Sequence, residues 1–154
     1  MEFTGFVDNA VKLATEILKN EKEVPQTLLV ADGEHHISMI TLLIDKTLFK
    51  RAIREVLSKV NAKFYVVVYE AWYLSWKMGE TPPPKLPISE QPERKEAVVV
   101  VGYSRDGQRL TIWIPFERGP NGDIGLKTPK KTADFEDNLI GNLFPPRLHK
   151  QTSG

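Results

Sequence analysis

The segment from Lys63 to Lys77 limits the possible folds more than any other part of this chain. It is rich in β-forming residues and is apolar at most positions as far as Leu74. Because successive side chains of a strand point to opposite faces, both faces of this strand are apolar. Such a strand is covered by protein on both sides or lies in the centre of a sheet. The sequence therefore predicts a sheet arranged around this segment.

Helical spacing of apolar residues appears in three other places. The first helix is predicted from about Thr4 to Asn20, with charged residues on its outer face. The second runs from Asp45, a suitable N-cap, to Val60 and has the clearest separation of apolar and basic faces. A short third helix is predicted from Thr132 to Leu143, before two consecutive prolines that would end it.

Two Asp-Gly dipeptides mark hairpins, because glycine readily adopts the positive φ angles of tight turns. Asp32-Gly33 separates the β-rich runs 27–31 and 36–44, and Asp106-Gly107 separates the runs 97–103 and 109–116. The intervening segment 79–92 contains five prolines, which lack the amide donor that an interior strand needs. We interpret that segment as a loop and the Gly-rich stretch 118–125 as a turn.

The predicted element order is helix, two strands, helix, three strands, helix. This order favours an α+β fold with a single antiparallel sheet of about five strands and two or three helices packed across one face. The 154 residues suit one domain, which we place at residues 1–146 with the Pro-rich loop at 79–92. Residues 147–154 form a predicted flexible tail.

Composition excludes several kinds of site. The chain has no cysteine and a net charge of +1, so thiol chemistry and a general attraction to nucleic acid are both excluded. His35 and His36 are neighbours and would point to opposite faces of a strand, which argues against a shared metal. We predict no metal and no cofactor. No signal-like segment or long apolar run occurs, so we expect a cytoplasmic protein without membrane contact.

Glu70 is the most unusual residue of the apolar segment. It shares strand parity with Val66, Val68 and Trp72, and an unpaired carboxylate among apolar side chains is costly. One interpretation makes Glu70 a general acid or base with a raised pKa. The interpretation that we favour makes it the partner of a basic residue, for which the candidates are Arg94, Lys95 and Arg109.

Trp72 and Trp76 lie on the same predicted strand face and could form an aromatic binding surface next to the Pro-rich loop. Arg94 and Lys95 follow that loop and would join the same surface. These four residues are our predicted binding residues. The alternative is that the tryptophans belong to the core or pack beneath the loop.

Glu93-Arg94-Lys95 fits the short acidic-x-Lys pattern of metal-dependent nucleases, in which carboxylates hold a divalent ion and a lysine activates water. The aspartate that such enzymes place on a preceding strand is absent from the run 64–76. A charged turn that protects a sheet edge from aggregation explains the same residues. We keep a hydrolase using Glu70 and the Glu93 and Lys95 region as the alternative function.

Two resemblances accompany these motifs. Glu70-Ala71-Trp72, together with the segment PISEQPERKEAVVV at residues 87–100, resembles a motif pair of uncharacterised prokaryotic and phage proteins, a group that implies no activity. The element order resembles the roadblock and longin type of α+β domain, which implies a role as an assembly platform that pairs through sheet edges or helices. We therefore predict a non-catalytic protein–protein interaction or assembly module, with a homodimer or a protein partner favoured over nucleic acid.

Overall fold

The computed structural model describes residues 2–34, 36–41, 46–75, 78–81, 86–87 and 90–132. In these residues the chain forms two helices and seven strands. In chain order they are α1 (Phe3–Glu21), β1 (Thr27–Asp32), β2 (Ile37–Thr41), α2 (Lys46–Lys59), β3 (Ala62–Tyr73), β4 (Lys95–Ser104), β5 (Arg109–Arg118), β6 (Ile124–Leu126) and β7 (Lys130–Thr132). Thr132, where we predicted a third helix to begin, ends β7. The rest of that helix and the tail lie outside the described residues.

All strands belong to one antiparallel sheet with the order β2-β1-β3-β4-β5, and β6 and β7 both pair with β5. The α+β class and the single sheet are thus confirmed, but the sheet is larger than the predicted five strands. β6 and β7 are three residues long, too short for an alternating pattern to reveal them. β6 begins inside the Gly-rich stretch that we interpreted only as a turn.

The two helices pack on opposite faces of the sheet, so the prediction that they share one face is wrong. α1 contributes to an apolar cluster with Leu29, Val66 and Val100, and α2 contributes to a separate cluster with Val30 and Val67. The reason lies in β3, whose residues 64–68 are at most 5% exposed. Since neighbouring residues of β3 point to opposite faces, each face needs its own cover. The predicted central position is confirmed, and cover on both faces is confirmed for residues 64–68. β3 nevertheless ends at Tyr73, earlier than the predicted Lys77, and Trp72 near its end is exposed.

α1 approaches β4 closely at Gly102. A Cβ atom on Gly102 would lie 2.5 Å from the Cγ2 atom of Val7 and 3.2 Å from the ring of Phe3. Real Cβ atoms essentially never lie as close as 2.5 Å to another side chain, so glycine permits the helix to lie at this distance from the sheet. The first turns of α1 are therefore fixed against the middle of the sheet, and its C-terminal end points toward the ends of β3 and β4 where Glu70 and Glu96 lie.

Both predicted hairpins are confirmed, but the predicted positive φ occurs at Gly107 and not at Gly33. Gly107 has a φ of +97°, the positive value that the Asp-Gly argument anticipated. At the first turn the side chain of Asp32 closes the loop, because its Oδ1 atom accepts hydrogen bonds from the amides of Glu34 and His36, each at 2.9 Å.

Candidate functional site

A cleft of about 250 Å³ opens on the α1 face of the sheet and is lined by Glu70, Ala71, Trp72 and Glu96. We call it the Trp72 cleft. It lies beyond the C-terminal end of α1, where the helix no longer covers the sheet. Cross-strand register explains why its side chains meet: Trp72 is opposite Glu96, and Glu96 is opposite Phe116. Residues directly opposite each other point to the same face, so β3, β4 and β5 each contribute to one row.

Glu70 is held by the loop that follows α1. Its Oε1 atom accepts a hydrogen bond of 2.7 Å from the amide of Val24. The same oxygen lies 3.8 Å from Nη2 of Arg118, and the two side chains are 30% and 35% exposed. The ion pair that the structure describes for Glu70 thus involves Arg118, which was not among the three basic partners that we predicted. Arg109 begins β5 at its opposite end, and Lys95 lies on the other face of the sheet.

Arg118 connects three parts of the fold. Its Nε atom donates to Glu96 Oε2 at 3.0 Å, and its Nη1 atom donates to the carbonyl oxygen of Lys22 at the end of α1. Its guanidinium also lies over the ring of Phe116, at 5.2 Å from the ring centroid. A planar guanidinium carries five donors in a fixed fork over three nitrogens, whereas a lysine ammonium carries three donors on one nitrogen and cannot reach these separate acceptors in the same geometry. Arg118 therefore links the last turn of α1 to the side chains at the ends of β3 and β4.

The pKa of Glu70 is raised above the ordinary value of a glutamate, and burial of the carboxyl group is the main cause. The hydrogen bond from Val24 and the charge of Arg118 lower the pKa, while the negative charges of Glu96 and Glu23 raise it. The pKa is raised on balance because the Val24 bond and the Arg118 charge do not fully offset the effect of burial. The raised pKa matches the general acid interpretation of Glu70, and the two bonded partners match the structural interpretation.

Trp72 exposes 47% of its surface at the rim of the cleft. The guanidinium carbon of Arg94 lies 5.0 Å from the centroid of its ring, which is the geometry of a cation–π contact. Arg94 is positioned in turn by the carbonyl oxygen of Gln91, which accepts a bond of 3.1 Å from Nη1. Gln91 is only 2% exposed and donates to the carbonyl oxygen of Leu86. The end of the Pro-rich loop thus holds Arg94 against Trp72.

Lys95 and Glu93, two other residues of the predicted sites, do not line the cleft. Lys95 shares the other face of the sheet with Tyr73, and its Nζ atom donates to Ser75 Oγ at 2.9 Å. Glu93 lies in the exposed turn before β4. Glu70 and Lys95 therefore point to opposite faces, and the structure does not bring together the groups of the proposed nuclease site. Trp76 lies outside the described residues.

Sequence reasoning missed Arg118 because we ended the last strand at residue 116 and assigned the following residues to a turn. In the structure β5 continues to Arg118, so this side chain shares the face of Phe116. The alternation of side chains along β5 could have revealed it. Extending the predicted strand by two residues places Arg118 on the same face as Phe116 and Glu70. Nothing in the sequence indicated the hydrogen bond from the Val24 amide, since every residue except proline has a backbone amide that could donate.

Within the described ranges, no group of three or more His, Asp or Glu residues has a geometry that could hold a metal ion. No helix in that part of the chain is long and apolar enough to cross a membrane. Comparisons with protein families, curated proteins and solved structures found no match to this chain. The resemblances to a prokaryotic and phage motif pair and to roadblock and longin domains therefore stay predictions.

Proposed function

We propose that this chain is a cytoplasmic, non-catalytic protein–protein interaction module, that it forms a homodimer, and that it binds a partner protein at the Trp72 cleft. The observation that carries the proposal is the half-exposed indole of Trp72, held under the guanidinium of Arg94 beside a cleft. Tryptophan and arginine are the residue types that most often dominate the binding energy of protein interfaces.

The surroundings of Trp72 support binding without rearrangement. Arg94 donates to Gln91, and Glu70 contacts Val24 and Arg118, so these two side chains beside the indole are already held by the fold. Binding to an ordered surface loses less conformational entropy than binding to a mobile one. The same contacts also give Glu70 a structural role that does not require catalysis.

The test is a pull-down with tagged protein from lysate of the native host, with bound proteins identified by mass spectrometry and nuclease treatment as a control for nucleic acid. A protein recovered by the wild type is then purified and titrated against both wild type and Trp72→Ala. We expect Trp72→Ala to weaken that binding by about 30-fold, the loss typical of a tryptophan at an interface centre. Lys127→Ala, an exposed position on the opposite face, is the matched control and should bind as the wild type does. Equal affinity of Trp72→Ala and wild type would contradict the proposal.

A hydrolase with Glu70 as its acid or base is the second candidate, and the raised pKa of Glu70 beside the cleft favours it. The Glu93 and Lys95 part of that predicted site lies away from the cleft and has no support from the geometry. The test is a screen of chromogenic esters, phosphodiesters and glycosides with wild type and Glu70→Gln. An activity that is present in the wild type and abolished in Glu70→Gln would replace the interaction module with an enzyme. An activity that survives the substitution would exclude Glu70 as its catalytic group.

A further inference from the structure

β2 is the outermost strand on its side of the sheet, and its outer edge has no strand beside it within the described residues. Its five residues, Ile-Ser-Met-Ile-Thr, carry no charge and include no proline. Ile37 and Met39 are 48% and 56% exposed, although both are apolar. Natural edge strands are usually protected by charge, proline or a covering element, so an open edge of this composition is a site for strand pairing.

The backbone groups available on that edge follow from the pairing of β1 with β2. The amide of Asp32 donates to the carbonyl oxygen of His36 at 3.0 Å, so residue 36 directs its backbone groups toward β1. In an antiparallel pair the direction of the backbone groups alternates from one residue to the next, so residues 38 and 40 also direct their amide and carbonyl groups toward β1. Ile37, Met39 and Thr41 therefore direct their amide and carbonyl groups to the outside.

The side chains of these three outward residues also share one face. Ile37 is opposite Ala31, Met39 is opposite Leu29, and Leu29 belongs to the apolar cluster under α1. α1 packs mainly on β3, β4 and β5, and the side chains of Ile37 and Met39 on β2 stay exposed. The same three residues thus offer both the unpaired backbone groups and the uncovered apolar surface.

We propose that the occupant of this edge is a second copy of the chain, with β2 of each copy paired antiparallel around a two-fold axis at Met39. This inference rests on the homodimer part of the proposed function and names its interface. In this register Ile37 faces Thr41 of the second copy and Met39 faces Met39, so all three outward residues of each strand form backbone hydrogen bonds. Shifting the register by two residues leaves at least one of the three without a partner.

The absence of charge on β2 favours a second copy over a different protein. A residue at a two-fold axis meets its own copy, so a charged residue there would face an identical charge. β2 has serine, methionine and isoleucine at its three central positions, which suit such self-pairing. A two-fold axis perpendicular to the sheet keeps α1 of both copies on the same side. Both Trp72 clefts would then open on one side of a continuous sheet, where a partner with two binding sites gains avidity.

The first test is sedimentation velocity of the full chain over a range from about 1 to about 500 μM, because a contact through one short strand is expected to be weak. We expect the wild type to change from monomer to dimer with concentration. Met39→Lys places two ammonium groups at the axis and should raise the dissociation constant by about tenfold or more. Lys127→Ala is the matched surface control and should dimerise as the wild type does.

The second test is disulfide cross-linking. Because the chain has no cysteine, a single introduced cysteine is the only thiol, and any disulfide reports on that position alone. Cα atoms of a directly opposite, hydrogen-bonded pair lie about 5.5 Å apart, within the range for a disulfide. Met39→Cys should therefore form a covalent dimer on mild oxidation. Ser38→Cys is the control: residue 38 lies opposite residue 40 of the second copy, so two cysteines at 38 are too far apart to form a disulfide readily.

The outcomes separate the two proposals. A wild-type dimer that survives Met39→Lys, or that cross-links at Ser38→Cys and not at Met39→Cys, overturns the β2 interface and leaves the homodimer standing. A wild type that is monomeric at every concentration overturns both. If the wild type is monomeric, slow maleimide labelling of Met39→Cys would show that another part of the same chain covers the edge. Fast labelling, together with a captured protein that Met39→Lys no longer binds, would show that a different protein occupies it.

Discussion

The outer edges of β2 and β5 lie on opposite sides of the same sheet and differ in what covers them. β5 is paired along its outer edge at both ends, by β6 at residues 116–118 and by β7 at residues 111–113. Glu117 near its end also forms an ion pair of 2.8 Å with Lys127. β2 has an uncharged sequence and exposed apolar side chains.

The covered edge of β5 and the open edge of β2 are two different treatments of an unpaired strand edge. Unpaired strand edges promote association, and natural proteins either cover them or use them. After β5 the chain turns at residues 119–123 and returns along the edge, so the cover is part of the same chain. No comparable return follows β2 in the described residues. We therefore expect substitutions at the β5 side to change the free energy of unfolding, and substitutions on β2 to change association instead.

The largest expected effect on folding is that of Arg118→Ala. It removes the bonds to Glu96 and to the carbonyl oxygen of Lys22 and leaves both carboxylates of the cleft without their guanidinium. Charge-assisted bonds contribute about 1.5 to 3 kcal/mol each when buried, and partial exposure reduces this, so we expect a loss of about 2 kcal/mol. Urea unfolding measures it. Arg118→Lys should recover less than half of the loss, because lysine lacks the planar fork. An unchanged unfolding free energy would show that Arg118 does not stabilise this side of the sheet.

A smaller effect, dependent on pH, is expected for Glu70→Gln. Because the pKa of Glu70 is raised, the folded state binds its proton more tightly than the unfolded state does. The resulting stabilisation is complete below the ordinary pKa of a glutamate and is lost as pH rises through the raised value. Glutamine has no proton to lose, so Glu70→Gln should gain stability relative to wild type as pH rises from about 4 to about 7.

Urea unfolding of both proteins across this pH range measures that gain, which we expect to be about 1 kcal/mol or less, since the side chain is partly exposed. Glu70→Ala is the matched variant: it also removes the acceptor of the Val24 amide and should be less stable than Glu70→Gln by about 1 to 2 kcal/mol. If the wild type gained stability relative to Glu70→Gln as pH rose, attraction to Arg118 would outweigh burial.

The smallest effect on folding should come from the open edge. Met39→Lys changes a side chain that is 56% exposed, so we expect the free energy of unfolding of the monomer to change by less than about 0.5 kcal/mol. Urea unfolding at a concentration well below the dimerisation range measures this. A loss of 2 kcal/mol or more would show that Met39 contributes to the fold of one chain, and the contrast between the two edges would then disappear.

The sequence alone determined the local elements. Apolar periodicity predicted α1 and α2 to within one or two residues, and the two Asp-Gly dipeptides predicted both hairpins. The continuous apolar run of β3 predicted its central place in the sheet. These features are set by side chains close together in the chain, where helical or strand spacing repeats often enough to be recognised.

The site and the edges were decided by the tertiary structure. Glu70 meets an amide 46 residues earlier in the chain, and Arg118 bonds to a carbonyl oxygen 96 residues earlier. Apart from the composition of β3, nothing local to the helices indicated that they pack on opposite faces. Nothing in the strand patterns distinguished an open edge at β2 from a covered edge at β5. Local sequence records what a segment prefers, whereas a partner across the sheet depends on how the whole chain is arranged.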